Sequence, residues 1–238
     1  MHIDFTGKLV LVAGGTGGLG RAVALAFLAE GANVAVTYRD ASEFDALVEA
    51  AGPGAALTGH AVDVTDEAAV NALVAKLVAD YNRIDCLVSA VGGYAGGDTL
   101  WQQSTATLDR MFALNFRASY TLVRAVLSPM LREHAGAILT ISSRAAYDHG
   151  ARASAYSASK AAELAMIDSL AKELNGTGVR VNSIVPSIID TPANRKAMPD
   201  ANHDVWPKPE EIARVLVFLA SDAAQVIHGA AVPVYSSR

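Results

Sequence analysis

The sequence predicts an α/β protein built on a doubly wound parallel sheet with helices on both faces. Short runs rich in Val, Leu and Ile alternate with Ala-rich helical patterns along all 238 residues, and this alternation is typical of parallel sheets. The strand runs are apolar nearly throughout, as expected of strands that are buried on both faces. No repeat, low-complexity segment or Pro/Ser-rich linker divides the chain, so we interpret residues 1–238 as one domain.

Seven strands are predicted, with helices in the connections between them. The strands are expected at Leu9–Ala13, Asn33–Thr37, Leu57–Val62, Ile84–Ala90, Ala137–Ser142, Arg180–Val185 and Ala231–Tyr235. The helices are expected at Gly18–Glu30, Glu43–Ala51, Glu67–Tyr81, Thr107–His134, Tyr156–Asn175 and Glu210–Ala220. The stretch 186–209 is rich in Pro and polar residues, so we expect it to be irregular and interpret it either as a substrate loop or lid or as a solvated connector.

Composition and charge argue against several classes of partner. Lys and Arg number 19 against 24 Asp and Glu, which gives a net charge of −5, and neither sign is gathered into a block. A nucleic acid or an anionic membrane needs a concentrated basic face, so we expect neither as a partner. No stretch approaches the roughly 18 apolar residues of a membrane span. The six histidines show no metal-ligand spacing, so no metal is predicted.

Cysteine usage indicates the compartment. Cys86 is the only cysteine, so no internal disulfide can form and a reducing compartment is expected. The first residues, Met1 to Lys8, contain Asp4 and do not resemble a signal peptide. We therefore predict a cytoplasmic protein.

A glycine-rich loop follows the first predicted strand and leads directly into a helix. Gly15, Gly17 and Gly20 spell G-x-G-x-x-G, whereas Gly14, Gly18 and Gly20 spell G-x-x-x-G-x-G. Glycines at such a turn let backbone N–H groups approach a pyrophosphate, and the helix N-terminus favours its negative charge. The strand-turn-helix context therefore predicts a dinucleotide site rather than a purely structural turn.

The end of the second predicted strand bears on the choice of nicotinamide cofactor. It reads Tyr38-Arg39-Asp40. The planar fork of Arg39 suits a 2′-phosphate, which favours NADP(H). Asp40 keeps the alternative open, because Arg39 could pair locally or Asp40 itself could reach a ribose hydroxyl.

A tyrosine and a lysine share one face at the start of a later predicted helix. Tyr156 and Lys160 are four residues apart, so their Cβ atoms are expected about 5 to 6 Å apart. An ammonium beside a phenol favours the phenolate, which suits a group that must take and give a proton. Ser143 stands just past the tip of a predicted strand, where ligands of open parallel sheets gather.

In these motifs the sequence resembles the short-chain dehydrogenases/reductases of the simple, single-domain kind. The resemblance covers nearly the whole chain and implies a Rossmann-type sheet of seven strands. It selects the second glycine frame and implies four catalytic residues: Asn115, Ser143, Tyr156 and Lys160. It also implies dinucleotide contacts at Gly14, Thr16, Gly18, Leu19, Gly20, Arg39, Asp63, Val64, Gly92, Tyr156, Lys160, Pro186, Ile189 and Thr191.

The chain departs from the family pattern at several places. Ala13 replaces the usual threonine before the first glycine, and Ser89-Ala90-Val91-Gly92 stands where the family has N-N-A-G. Ser187 replaces the glycine of a frequent Pro-Gly, Gly17 stands where many NADP-using relatives carry Arg or Lys, and Ser236-Ser237 replaces a double glycine. These changes remove hydrogen bonds and backbone freedom but no catalytic group.

The resemblance implies an oxidoreductase that interconverts a ketone or aldehyde with an alcohol. Ser143 and Tyr156 would hydrogen-bond the carbonyl, Tyr156 would supply the proton, Lys160 would bind ribose hydroxyls and stabilise the phenolate, and Asn115 would help to relay protons. NADP(H) is favoured; the alternatives are an NAD-dependent alcohol dehydrogenase on the same four residues, or a dinucleotide-sensing protein without turnover. Candidate walls of the substrate pocket are Gly93, Tyr94, Arg144, Tyr147, His149, Met198 and Trp206.

Self-association is also predicted. The helical pattern Tyr156–Asn175 carries apolar residues on more than one face, and a helix of that kind needs a second surface to cover it. In the family that the chain resembles, the corresponding helices build dimers and tetramers are common, which implies a homodimer or homotetramer.

Overall fold

A seven-stranded parallel sheet forms the centre of the computed structural model, which describes residues 3–236. Its strand order is β3-β2-β1-β4-β5-β6-β7, and every neighbouring pair runs parallel. The strands are β1 Leu9–Ala13, β2 Asn33–Tyr38, β3 Leu57–Ala61, β4 Cys86–Ser89, β5 Gly136–Ile141, β6 Val179–Pro186 and β7 Ala231–Val234. The predicted fold class is confirmed; the single-domain interpretation remains a prediction.

Helices occupy the connections between strands. They are α1 Gly18–Ala29, α2 Ala41–Ala51, α3 Glu67–Tyr81, α4 Thr105–Phe112, α5 Ala118–Glu133, α6 Ala145–Asp148, α7 Ser154–Glu173, α8 Pro192–Ala197 and α9 Pro209–Ala220. Short 3₁₀ turns lie at His203–Val205 and Asp222–Ala224. Each strand agrees with its prediction to within two residues at either end, because a short apolar run identifies a buried strand but not its last residue.

Two predictions about the connections were wrong in detail. The single helix expected at Thr107–His134 is divided by a π-helical segment, Ala113–Arg117, between α4 and α5. The stretch 186–209 was expected to be irregular, yet it contains α8, which Thr191 caps through its side chain. The π turn contains Asn115, and such insertions are frequent at functional sites.

Alternating side chains along each strand supply two apolar faces. In β1, Val10 and Val12 point to the face covered by α1 and α9, whereas Leu9 and Leu11 point to the face covered by α3, α5 and α7. All of these side chains are buried. Successive side chains of a strand point to opposite faces, so β1, with helices on both sides, is apolar at every position.

The reversal of strand order places the crevice for a ligand. Chain direction from β1 leads outward to β2 and β3 on one side, and from β4 to β5, β6 and β7 on the other. The connections after β1 and β4 therefore diverge at the carboxyl edge of the sheet, where open α/β sheets bind their ligands. The loops that follow β1, β4, β5 and β6 carry most of the predicted site residues.

Candidate active site

The glycine loop between β1 and α1 is closely packed on itself. Gly14 has a φ of +74°, which only glycine adopts readily, and its N–H donates to Thr37 Oγ1 at 2.9 Å. A Cβ on Gly20 would lie 2.0 Å from the Gly14 carbonyl oxygen, and one on Gly18 would lie 2.9 Å from Thr191 Cγ2. A Cβ on Gly17 would come no closer than 3.5 Å to its neighbours. The packing therefore favours the frame of Gly14, Gly18 and Gly20.

The start of α1 is suited to a dinucleotide pyrophosphate. No side chain caps it, and its first turn has no acidic residue, so its N–H groups and positive dipole end are left for a ligand. Side chains on Gly18 and Gly20 would collide with Thr191 and with the Gly14 carbonyl, so this close turn at the helix start requires glycine. The residues present therefore fit a nicotinamide dinucleotide, and Thr191 of the segment after β6 lies directly against the helix start.

The end of β2 presents a free cation and an occupied carboxylate. Arg39 is exposed and, within residues 3–236, makes no side-chain hydrogen bond or ion pair. Asp40 caps α2, where its Oδ1 accepts from Ser42 N at 2.8 Å and Ser42 Oγ at 2.7 Å. These hydrogen bonds to Ser42 lower the pKa of Asp40. The Asp40 carboxylate is therefore committed to its helix, whereas Arg39 is available.

Further carboxylates lie near the loop. Asp63 Oδ1 accepts from the backbone N and Oγ1 of Thr65, at 2.9 and 2.7 Å, and these bonds lower its pKa. Glu43, in the first turn of α2, accepts a hydrogen bond of 2.9 Å from Thr16 Oγ1 in the glycine loop. Sequence reasoning missed Glu43 because its partner lies 27 residues away.

Tyr156 and Lys160 both lie on α7, but their side chains have different surroundings. Tyr156 is half-buried, and its ring meets that of Tyr94 edge to face, with 5.0 Å between centroids. Lys160 is buried, with its Nζ 2.5 Å from the Ile141 carbonyl oxygen and 3.0 Å from Glu163 Oε2. No hydrogen bond joins the two side chains in the part of the chain that the structure describes.

Asn115 ties the π turn to the loop after β4. Its Oδ1 accepts from Gly93 N at 2.8 Å, and its Nδ2 donates to the Gly93 carbonyl at 3.0 Å. The same Nδ2 donates to Ser159 Oγ at 3.0 Å, and Ser159 Oγ donates to the Tyr156 carbonyl at 2.7 Å. Asn115 thus connects this loop to the turn of α7 that carries Tyr156 and Lys160.

Ser143 follows β5 and Pro186 ends the neighbouring strand β6, at the same edge of the sheet. Ser143 Oγ accepts from Ala145 N at 3.1 Å, and the Pro186 carbonyl accepts from Arg144 N at 2.9 Å. Ser142 Oγ donates to the Lys160 carbonyl at 3.3 Å. The ends of β5 and β6 are thereby joined to each other and to α7.

The candidate substrate walls differ in their availability. Tyr94 and Tyr147 are exposed, and Arg144 pairs with Asp148 at 2.9 Å. Trp206 is 5% exposed and packs against His203. Two of the candidate wall residues contact candidate catalytic residues directly: Tyr94 packs on Tyr156, and the backbone of Gly93 bonds Asn115.

Sequence reasoning missed a buried set of polar residues next to Lys160. Glu163, Ser119 and Ser89 are all buried and joined by hydrogen bonds. The one local signal was the spacing of Lys160 and Glu163, which places them on the same helix face. Nothing in the sequence indicated that this face points inward at both residues.

Within residues 3–236 the molecule has neither a membrane-spanning helix nor a cluster of metal-ligating side chains. None of the helices within residues 3–236 is long and apolar enough to cross a bilayer. The same residues contain no group of three or more His, Cys, Asp or Glu side chains arranged to hold a metal ion.

Comparisons with known proteins identify the family of this chain. The family model of the short chain dehydrogenases matches residues 8–202. D-threitol dehydrogenase of Mycolicibacterium smegmatis is 36% identical, over 97% of this chain and 94% of that protein. The 3-oxoacyl-(acyl-carrier-protein) reductase of Thermotoga maritima is 32% identical, over 94% of each. The chain belongs to the short-chain dehydrogenase/reductase family, which confirms the resemblance seen in its motifs.

Solved structures give the same result. A protein described as a short-chain dehydrogenase/reductase from Burkholderia xenovorans matches with a TM-score of 0.90 and 33% identity, covering 98% of this chain and 96% of that one. A structure of NAD⁺-bound xylitol dehydrogenase matches with a TM-score of 0.90 over 98% of this chain and 99% of that one. At 23% identity the second likeness supports the fold alone. The chain is thus an oxidoreductase of a family that acts on CH–OH groups with NAD(P).

Proposed function

We propose that this enzyme is an NADP(H)-dependent oxidoreductase that interconverts a ketone or aldehyde with an alcohol, using Tyr156 as general acid and base. The observation that carries the proposal is the position of Tyr156. It is half-buried on α7, one turn before Lys160, whose ammonium bonds the Ile141 carbonyl at the carboxyl end of β5. A proton donor at that edge can reach a carbonyl held beside a bound nicotinamide.

The dinucleotide would be held mainly by backbone. The N–H groups at the start of α1 and the loop residues Gly14, Thr16, Gly18, Leu19 and Gly20 would bind the pyrophosphate. Adenosine would lie near Arg39, Asp63 and Val64, and the nicotinamide end near Gly92, Pro186, Ile189 and Thr191. When bound, the nicotinamide supplies or accepts the hydride.

Side chains at the edge would handle the proton and the carbonyl. Ser143 would donate a hydrogen bond to the carbonyl oxygen, and Tyr156 would deliver the proton to that oxygen. The charge of Lys160 favours the phenolate that Tyr156 leaves behind, and Lys160 would also bind ribose hydroxyls. Asn115 would hold the Gly93 turn in place and support proton exchange with solvent.

Arg39 supports the preference for NADP(H). It is exposed and, among the described residues, its side chain forms no hydrogen bond or ion pair, whereas the competing Asp40 carboxylate is bound by Ser42. The alternative, an NAD-dependent alcohol dehydrogenase on the same residues, is favoured by Glu43, which brings a carboxylate to Thr16 in the glycine loop. A negative charge there would oppose a 2′-phosphate.

The cofactor choice is tested by comparing kcat/KM for NADPH and NADH in Arg39→Ala and Glu43→Gln. If Arg39 binds the phosphate, its removal weakens NADPH use about tenfold or more and leaves NADH use nearly unchanged. Glu43→Gln should improve NADPH use. NADPH kinetics unaffected by Arg39→Ala would support the NAD alternative.

The reaction is tested with Tyr156→Phe on a panel of carbonyls and alcohols that includes threitol and a 3-oxoacyl thioester, chosen from the two relatives named above. Loss of the phenolic proton should lower kcat by about 10² to 10⁴-fold, while dinucleotide binding persists. Tyr81→Phe, at the end of α3, is the matched control. Undiminished turnover in Tyr156→Phe would refute the mechanism.

The substrate side of the proposal involves the segment 186–209, which we assign as a lid. Asp190 Oδ2 accepts from Arg195 Nη2 at 2.8 Å, and Asp190 N donates to the Pro207 carbonyl at 3.0 Å. These bonds shape the segment around α8, while Ile188 stays exposed beside the β6 end. An organised segment with an exposed apolar side chain suits a cover for a small substrate.

We also infer a homodimer or homotetramer located in the cytoplasm. On α7, Ile167 and Leu170 enter the core while Ala165 is exposed, and Tyr120 and Leu131 of α5 are exposed as well. A partner subunit would cover these side chains. Light scattering should give a multiple of 24.7 kDa; a monomer at working concentration would contradict the assembly. The single, buried Cys86 suits a reducing compartment.

A further inference from the structure

A continuous set of buried polar groups leads from Lys160 into the interior. Glu163, 0% exposed, accepts from Lys160 Nζ at 3.0 Å through Oε2 and from Ser119 Oγ at 2.6 Å through Oε1. Ser119 Oγ lies 3.0 Å from Ser89 Oγ. Because Ser119 gives its one hydroxyl proton to Glu163, Ser89 must be the donor to Ser119. Residues from α7, α5 and β4 are thereby joined.

Stabilisation of the fold does not explain why Lys160 and Glu163 are buried together. A buried ion pair loses so much hydration that an apolar pair of similar volume is commonly as stable or more stable. Burial raises the pKa of Glu163, although Lys160 and Ser119 oppose that rise. The pair therefore calls for an explanation in the chemistry of Lys160.

The surroundings of the Lys160 ammonium supply such an explanation. Of the three N–H groups on Lys160 Nζ, one bonds the Ile141 carbonyl and one bonds Glu163, which leaves one without a partner among residues 3–236. The ammonium lies close beneath the turn after β4, since a Cβ on Gly92 would be 3.7 Å from it. Two bonds on the protein side thus define where the third can act.

We propose that Glu163 is a positioning residue that keeps Lys160 charged and fixed at the sheet edge, with one N–H free for the cofactor ribose and the Tyr156 phenolate. This inference rests on the proposed function of Lys160. Ser119 holds the Glu163 carboxylate, and Ser89 holds Ser119. Removing the carboxylate would leave a buried ammonium without its counter-charge, which favours loss of its proton.

The charged and titratable groups on the elements around α7 differ from Glu163, because within the described residues they do not bond to Lys160. Tyr156 is the titratable group one turn earlier on α7. The elements packed on α7 are α4, the π turn, α5, α6 and β6, and their charged or titratable side chains are Asp109, Arg110, Arg117, Tyr120, Arg124, Arg132, Glu133, Tyr147, Asp148 and Arg180. All but Arg180 are exposed, and within residues 3–236 none of these ten side chains forms a hydrogen bond or ion pair with Lys160 or Glu163.

The test compares Glu163→Gln with Glu173→Gln, the same substitution at an exposed position of the same helix. NADPH and NADH dissociation constants are measured by fluorescence from pH 6 to 10 without substrate, together with the pH profile of kcat/KM. In Glu163→Gln the alkaline loss of binding and of kcat/KM should move down by about one pH unit or more. Above that pH, binding should be about tenfold weaker than in the wild type. Glu173→Gln should follow the wild type.

Folding is monitored by thermal unfolding of the ligand-free protein. Should Glu163→Gln fail to fold, the positioning role is tested with Ser119→Ala. This variant keeps the charges of Lys160 and Glu163 and removes one hydrogen bond to the Glu163 carboxylate. It should weaken dinucleotide binding about twofold or more, in line with the loss of one hydrogen bond. A merely structural role would lower the unfolding temperature without moving the alkaline limb of binding, and that result would overturn the proposal.

The outcomes separate this inference from the proposed function. If Tyr156→Phe is inactive but the alkaline limb of Glu163→Gln stays in place, the function stands and the positioning role is wrong. If Tyr156→Phe retains turnover while binding in Glu163→Gln shifts, Glu163 positions Lys160 for dinucleotide binding and the acid/base assignment is wrong.

Discussion

Lys160 and Arg180 are two basic side chains near opposite edges of the same sheet, and they are held in different ways. Arg180, near the start of β6, donates to five carbonyl oxygens, those of Leu219, Ala220, Ser221, Ala224 and Ile227. Lys160, beneath the carboxyl edge, has one carbonyl and one carboxylate as partners. Arg180 thus fastens the end of α9 to the sheet, where its positive charge also matches the helix dipole. Lys160 retains one N–H group that can bind a ligand.

Arg180 stabilises the packing of the fold, whereas Lys160 serves the proposed reaction. A rigid guanidinium spreads its donors over several fixed acceptors, so Arg180 is suited to hold backbone together. An ammonium on a flexible chain is a point charge whose strength depends on its counter-ion. The partners of Lys160 therefore adjust a reactive group, whereas those of Arg180 close the loops behind α9.

The largest expected effect is that of Lys160→Met on activity. Loss of the ammonium should lower kcat/KM by about 10² to 10⁴-fold, measured by cofactor oxidation at saturating dinucleotide. An activity within a few-fold of the wild type would remove the distinction between the two cations.

The same variant should change the pH dependence of stability. Without Lys160, Glu163 loses the charge that opposes the rise in its pKa on burial. A carboxyl whose folded pKa lies above its unfolded value destabilises the fold as pH rises from the unfolded pKa to the folded one. Thermal unfolding should therefore show Lys160→Met losing stability relative to the wild type between pH 4.5 and neutral pH. A difference independent of pH would contradict the burial argument.

Arg180→Lys should have the opposite pattern, with stability lowered and activity kept. An ammonium cannot span five carbonyls, and losing charge-assisted bonds should cost about 2 kcal/mol, or roughly 4 to 8 °C in Tm. The kcat/KM of the folded variant should stay within about twofold of the wild type, because Arg180 lies at the far edge from Tyr156. A large fall in kcat/KM at unchanged Tm would contradict the structural role of Arg180.

The smallest expected effect is on the reactivity of Cys86. This thiol at the start of β4 is fully buried, and burial raises its pKa while Arg180 partly opposes that rise. Native protein should therefore react slowly with a thiol reagent, in steps limited by local opening. Arg180→Lys should speed labelling several-fold, and Lys160→Met should change it less. Equal rates in the two variants would mean that the Arg180 contacts do not control opening at this edge.

Local patterns in the sequence were sufficient for much of this protein. Alternating apolar runs predicted the sheet, because the side-chain periods of strands and helices are properties of the backbone. Gly14, Gly18 and Gly20 predicted the tight turn before α1, since only glycine allows that close approach of backbone to backbone. The spacing of Tyr156 and Lys160 predicted a shared helix face for the same local reason.

The partners of the polar side chains depend on the tertiary structure. It committed Asp40 to the cap of α2, broke the helix at Ala113–Arg117 around Asn115, and paired Lys160 with Glu163. The bond of Ser119 to Glu163 joins residues 44 apart, and that of Ser89 to Ser119 joins residues 30 apart. Such contacts depend on how strands and helices pack and on which polar groups are buried together, and no local period carries that information.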